Sequence, residues 1–194
     1  LLARPESKKL LIVGAGVVAE SLVRAYSAMF PSLKQIAIWA RRPEQAQSLI
    51  TRLSGLNLPL VHAYNLEKSA GEADIISTAT MAREPVLLGD WISAGTHIDL
   101  IGAFKPDMRE ADNDLISMSS LYVDSRETTI HHIGELMFPL AAGVITEDDI
   151  KADFYDLLGM AETARKSDQE ITVFKNGGGA HLDLMIANYL AQLI

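Results

Sequence analysis

Cysteine is absent from the 194 residues, so the chain can hold no disulfide framework, no thiolate metal site and no cysteine nucleophile. That composition is compatible with a reducing compartment, and the chain is expected in the cytoplasm. Long apolar runs are also missing: the longest are strand-sized, too short to span a bilayer, so no membrane partner is expected. There is no excess of positive charge either. A formal net charge of -8 argues against nucleic acid or an anionic membrane as a general partner. No repeat or low-complexity tract interrupts the chain, and no His-x-His, His-x-x-x-His or acid cluster stands at metal-ligand spacing, so no metal site is expected. A Gly-x-Ser-x-Gly nucleophile elbow is lacking, and Glu147-Asp148-Asp149 reads as charge at a helix N-terminus rather than as a hydrolytic carboxylate pair. What is present is 48% apolar and 22% charged residues, the balance of a globular protein large enough for a full core.

The most informative segment is Leu10-Leu11-Ile12-Val13-Gly14-Ala15-Gly16-Val17-Val18-Ala19. An apolar, strand-like run stops at a Gly-x-Gly-x-x-Ala turn and is followed by helical spacing over Val17–Met29. In that context Gly14 supplies a tight turn, Gly16 lets backbone approach a pyrophosphate, and the small Ala19 lets the helix lie close on a sheet. The helix N-terminus then offers unpaired N–H groups and a positive dipole end to phosphates, with Val17 and Val18 at its start. The competing explanation is a plain strand-to-helix turn that uses glycine for steric reasons alone.

Further strands are predicted at Gln35–Trp39 and at residues 59–63, 73–80, 96–101 and 120–124, with helices between them at 44–53 and 66–71. This alternation implies βαβ units: an α/β fold of the Rossmann type, a doubly wound parallel sheet with helices on both faces and predicted strand order 3-2-1-4-5-6. Later segments read as helical at 127–136, 146–150 and 154–160, strand-like at 169–174, and helical again at 181–192 after Lys175-Asn176-Gly177-Gly178-Gly179. Leu1-Leu2-Ala3-Arg4-Pro5 resembles neither a natural start nor a signal peptide, so the chain is expected to be a piece of a longer protein.

Ligands in open α/β sheets sit beyond the carboxyl ends of the strands, so residues following strands 1, 2, 4 and 5 should converge. After strand 2, an acid would accept hydrogen bonds from the ribose 2′-OH of NAD, but the chain has Ala40 followed by Arg41 and Arg42. Guanidinium forks match a 2′-phosphate, which favours NADP over NAD; the alternative is that these arginines are solvated turn residues. Thr78 and Thr80 can offer hydroxyls to a nicotinamide ribose, with the small Ala79 permitting close approach, or they can satisfy local backbone groups. Ile101 and Gly102 follow strand 5, and Asn176 with Gly177 opens a loop that either presses on a ligand or serves as a linker. His62 and His97 fall inside strands, His131 and His132 point different ways, and no catalytic acid is identified. Redox chemistry by a bound nicotinamide cofactor is what remains.

Taken in order, these segments resemble the ornithine cyclodeaminase/mu-crystallin family. The resemblance rests on Leu2-Ala3-Arg4-Pro5, the glycine turn, Trp39-Ala40-Arg41-Arg42-Pro43, residues 73–85 and 95–110, Val123-Asp124-Ser125-Arg126, and the run from Ser167 to Lys175. It implies a homodimer of two-domain subunits acting on a small imino or amino acid, with an N-terminal substrate and dimerisation domain missing here. Residues 1–176 are then the NAD(P)-binding domain, residues 1–8 the end of a truncated connecting helix, and 177–194 a C-terminal helix returning toward that missing domain. The chain by itself is expected to be inactive. Family members that expel ammonia from ornithine carry an aspartate where this chain has Phe104, in Gly102-Ala103-Phe104-Lys105-Pro106. The resemblance therefore leans toward members that reduce 1-pyrroline-2-carboxylate or 1-piperideine-2-carboxylate to L-proline or L-pipecolate. Cyclodeaminase or amino-acid dehydrogenase activity, or a non-catalytic NADP-binding crystallin role, are the alternatives.

Overall fold

A computed structural model describes residues 1–159 and 164–193. Among the described residues, eight strands form one parallel sheet: β1 (Lys9–Val13), β2 (Gln35–Trp39), β3 (Leu60–His62), β4 (Ile75–Thr78), β5 (His97–Leu100), β6 (Ser120–Val123), β7 (Ile150–Ala152) and β8 (Thr172–Lys175). Around it lie α1 (Val17–Met29), α2 (Pro43–Arg52), α3 (Leu66–Gly71), α4 (Asn113–Met118), α5 (Arg126–Thr129), α6 (Gly134–Ala141), α7 (Phe154–Leu158) and α8 (Ala180–Ala191). The sheet is buried from both sides because successive side chains of each strand point to opposite faces. In β1, Leu10 and Ile12 enter the cluster formed with Ala19 and Val23 of α1 and Ala46 and Leu49 of α2. Leu11 and Val13 enter the opposite cluster, with Leu115 and Ile116 of α4 and Leu136 of α6. Ala19 is fully buried, so α1 rests close against the strand that precedes it.

The strand order is β3-β2-β1-β4-β5-β8-β6-β7. Its first five places are those expected. The sixth is taken by β8 instead of β6, through the registers His97↔Thr172 and Leu121↔Val173. Alternation in the sequence identifies a strand without naming its neighbours, and β8, buried along its whole length, is a central strand laid down last. β7, an edge strand, stands where the sequence suggested the end of a helix at 146–150, with only a 3-10 turn over Glu147–Asp149 before it.

Residues 127–136, expected as one helix, are two. Ser125 caps α5, the chain then extends at Ile133, and Ile130 and Ile133 enter different apolar clusters. α4 was not expected from the sequence; the Asp112 side chain accepts the Leu115 N–H at 2.9 Å as its N-cap. Residues 1–8 are not helical, since the Ser7 hydroxyl and N–H both donate to the Arg4 carbonyl to form a turn. Met160 and Ile194, expected at the ends of the helices at 154–160 and 177–194, lie outside the described residues.

Candidate cofactor site

The carboxyl ends of β1, β2 and β4 surround a cleft of about 340 Å3. At the end of β1 the Gly14 N–H donates to the Trp39 carbonyl, and the Ala79 N–H donates to the Val13 carbonyl, both at 2.8 Å. Gly14 has φ +130, and a Cβ there would lie 2.5 Å from the Ala79 carbonyl oxygen, so only glycine suits the crossing. Gly16 caps α1 with no side-chain partner for the first-turn N–H groups, and nothing stands within 4 Å of where its Cβ would be. Val17 and Val18 are exposed at the same helix start. The orphan donors of the helix N-terminus therefore face open space.

Arg41 and Arg42 line the wall next to buried Ala40, both exposed, and among the described residues neither guanidinium has a hydrogen-bond or ion-pair partner. Among the described residues no aspartate or glutamate lines this cleft. Unpaired cations and helix N–H groups on one concave surface suit an anionic ligand with phosphates at its centre.

At the other end, Ala79 and Thr80 line the cleft. Thr78 lies behind them, fully buried, its hydroxyl donating to Glu110 Oε2 at 2.7 Å. Thr80 meets the same carboxylate, its hydroxyl donating to Oε1 at 2.7 Å. Ile101 donates its N–H to the Thr78 carbonyl, and Gly102 sits so close that a Cβ would run into the Thr80 backbone. Phe104 projects beyond, 49% exposed, with Lys105 Nζ 5.3 Å from its ring centre. The structure thus brings Gly14, Gly16, Arg41, Arg42, Ala79 and Thr80 onto one cleft, with Thr78, Ile101 and Gly102 just behind its floor. Asn176 and Gly177 are outside the lining: the Asn176 N–H donates to the Leu100 carbonyl at 3.1 Å, and the space where a Gly177 Cβ would be belongs to Thr129.

Sequence reasoning missed the buried polar network under this floor. Glu110 and Glu135 are both fully buried, and the Glu110 and Ala111 N–H groups donate to the Glu135 carboxylate at 2.8 Å each. Burial pushes Glu135 up to about 7, with the Lys175 ammonium pulling the other way. Lys175 is itself fully buried and held below the usual lysine range, and its Nζ donates to the Leu100 carbonyl at 2.8 Å. An isolated ammonium could not stay here; the nearby Glu135, Glu110 and Asp124 carboxylates favour its charged form.

On the opposite face of β5, burial, aided by Arg165, pushes His97 down to about 3, so it is neutral and no acid-base candidate. Its Nε2 lies 3.3 Å from an Asp99 oxygen, and burial pushes Asp99 up to about 7. Folding thus raises the Asp99 pKa from 3.8, and the native state retains a proton that the unfolded chain releases. Stability from this group is complete below about pH 4 and is lost as pH rises through about 7; His97, depressed, acts in the opposite sense below about pH 6.5. Asp99→Asn is expected to gain stability relative to the parent between pH 5 and pH 8, read from urea unfolding at the two values. An equal difference at both contradicts this assignment.

Among the described residues no three His, Asp or Glu side chains gather as a metal site, and no helix is long and apolar enough to cross a membrane. Comparison with known proteins places the cleft in context. The chain is 59% identical over its whole length to a Delta(1)-pyrroline-2-carboxylate reductase of Paracoccus denitrificans, covering 61% of that protein. A Thermococcus litoralis Delta(1)-pyrroline-2-carboxylate reductase, solved in complex with NADH and L-proline, superposes with a TM-score of 0.91 at 32% identity, over 96% of this chain and 58% of that one. An archaeal alanine dehydrogenase dimer with bound NAD superposes with a TM-score of 0.89 at 27% identity, over 100% of this chain and 61% of that one. The chain thus spans about three-fifths of the length of the curated relatives it matches. The sequence profile of one family matches residues 1–193, and with it the chain belongs to the ornithine cyclodeaminase/mu-crystallin family.

Proposed function

We propose that the full protein is an NAD(P)H-dependent reductase of a cyclic imine carboxylate, yielding L-proline or L-pipecolate. The observation that carries this reading is the pairing of an acid-free, cation-lined cleft at the glycine turn with an exposed Phe104 just past β5. When bound, the nicotinamide cofactor supplies a hydride for the C=N carbon. The α1 N–H groups and the arginines hold its phosphates; Thr80, Ala79 and Gly102 bound the nicotinamide end. Phe104 offers an apolar wall to a small ring and limits water, and it cannot exchange the proton that ammonia loss from ornithine would need. The 59% identity to a Delta(1)-pyrroline-2-carboxylate reductase supports the same substrate class.

In this reading the cofactor residues are Gly14, Gly16, Val17, Val18, Arg41, Arg42, Thr78, Ala79, Thr80, Ile101 and Gly102, with Asn176 and Gly177 at the border. Residues 1–176 form the nucleotide-binding domain, and a further domain of the full protein supplies the grip on the substrate carboxylate. α8 has no buried residue and exposes Leu184, Ile186, Tyr189 and Leu190, which supports its packing on that domain. In this reading the full protein is a cytoplasmic homodimer. The test is turnover by the full-length protein. NADH or NADPH absorbance should fall with 1-pyrroline-2-carboxylate, and L-ornithine should release no ammonia; the reverse pattern removes the reading.

The preference for NADP rests on Arg41 and Arg42. Arg41→Ala is expected to weaken NADPH by about tenfold to a hundredfold, the worth of a charge-assisted pair, and NADH by less than about threefold. Equal weakening of both, measured by fluorescence titration, rules out the 2′-phosphate role.

A further inference from the structure

We propose that Glu110 is the positioning residue of the cofactor site, a clamp that fixes the spacing of the two strand-end loops bounding the nicotinamide. The proposal rests on the reductase reading above. The loops after β4 and β5 belong to different crossovers. Backbone hydrogen bonds rejoin them farther out, from the Arg109 N–H to the Ala82 carbonyl and around a parallel bridge between Leu87 and Ala111, but among the described residues none joins Thr80 to Gly102 or Ala103 at the strand ends. Glu110 bridges them from beneath. Its Oε1 accepts from the Thr80 N–H and the Thr80 hydroxyl, both at 2.7 Å. Its Oε2 accepts from the Thr78 hydroxyl and the Gly102 N–H at 2.7 Å, and from the Ala103 N–H at 3.3 Å.

Burying a charge is costly, and an apolar side chain would fill the same volume more cheaply. Here the hydrogen-bond partners are five N–H and O–H donors, with the buried Lys175 ammonium near enough to interact with the carboxylate. Only a group that accepts on both atoms and donates on neither can gather them, and among side chains that is an ionised carboxylate. The clamp is itself fixed. The Glu110 N–H donates to Glu135, and its carbonyl accepts from the Val86 and Leu87 N–H groups at 2.8 and 2.9 Å. Its reach is tied to the site: Thr80 lines the cleft, and a Gly102 Cβ would come within 2.5 Å of Glu110 Oε1. A small change in the Glu110 side chain therefore moves both sides of the nicotinamide end.

Glu110→Gln tests this with almost no change of volume. Whichever way the amide turns, its NH2 faces a backbone N–H, that of Thr80 on one side or of Gly102 on the other. In the full-length protein, the variant is expected to bind NADH about tenfold more weakly and to lose about a hundredfold in kcat. The isotope effect with NADH deuterated at C4 should rise, because hydride transfer becomes the slow step. Glu110→Asp keeps the charge but shortens the reach, and should show the same pattern. In the cofactor-free protein, the Thr80, Gly102 and Ala103 amides should exchange faster in either variant. A purely structural role would lower the melting temperature and leave NADH affinity, kcat per folded molecule and the isotope effect at parental values; that result overturns the proposal. Should both variants fail to fold, Thr78→Val removes one of the five donors and is expected to cut kcat about threefold to tenfold, whereas an unchanged kcat and isotope effect overturn the clamp. If the parent binds NADH but reduces no imine, the reductase reading fails, and amide exchange with NADH affinity still decides the role of Glu110.

Discussion

Gly16→Ser is expected to leave the protein folded and to weaken NADH binding about a hundredfold. Gly16 has φ -83 and ψ -170, which any residue adopts, and a Cβ there meets nothing within 4 Å. Serine is also a preferred helix N-cap, so unfolding free energy should stay within about 0.5 kcal/mol of the parent or rise slightly. The same features make the substitution damaging to function. The serine oxygen would accept one of the α1 N–H groups otherwise free for a pyrophosphate, and its Cβ would occupy the approach path. Each charge-assisted hydrogen bond lost is worth about 1.5–3 kcal/mol, and one or two of them account for the expected change in affinity. Calorimetric titration checks the affinity and urea unfolding the stability. An affinity within about threefold of the parent contradicts the placement of phosphate at this turn.

Gly14→Ala is expected to do the opposite, harming the fold first. At φ +130 an L-residue is strained, and the added Cβ would meet the Ala79 carbonyl oxygen at 2.5 Å, a backbone atom that cannot rotate away. The combined cost is about 2–4 kcal/mol, a fall in Tm of about 5–15 °C for a domain of this size. Relief can come only by separating the end of β1 from the end of β4, which also opens the cleft. Differential scanning calorimetry reads the first effect and NADH titration the second. A parental Tm contradicts the account of the turn.

These two glycines were legible in the sequence because a strand, a turn and a helix adjoin within ten residues and their geometry is local. The first five places of the sheet follow from the same logic, since βα units lay β2 and β3 outward from β1 and, after one crossover, β4 and β5 outward on its other side. β8 escaped it. Thr172-Val173-Phe174-Lys175 announces a strand, but its insertion between β5 and β6 depends on packing against residues that are more than seventy positions away on one side. Arg41 and Arg42 were readable for a similar local reason, standing directly after β2. Thr78 was readable as a hydroxyl at a strand end and not by its partner, because Glu110 is 32 residues away and looks like one more surface acid in the sequence. Glu135 was hidden in the same way, inside a stretch that read as one continuous helix. A carboxylate flanked by apolar residues, as in Gly134-Glu135-Leu136, was the available signal.

The account depends most on where the dinucleotide lies, and a crystal structure of the full-length protein with NADH tests that directly. The prediction is a pyrophosphate against the N–H groups of Gly16, Val17 and Val18, with the nicotinamide between Thr80 and Gly102 and its ring facing Phe104. Cofactor found instead in the groove beside β3, against His62, Asn65 and Lys68, or with its nicotinamide turned away from Phe104, would contradict it.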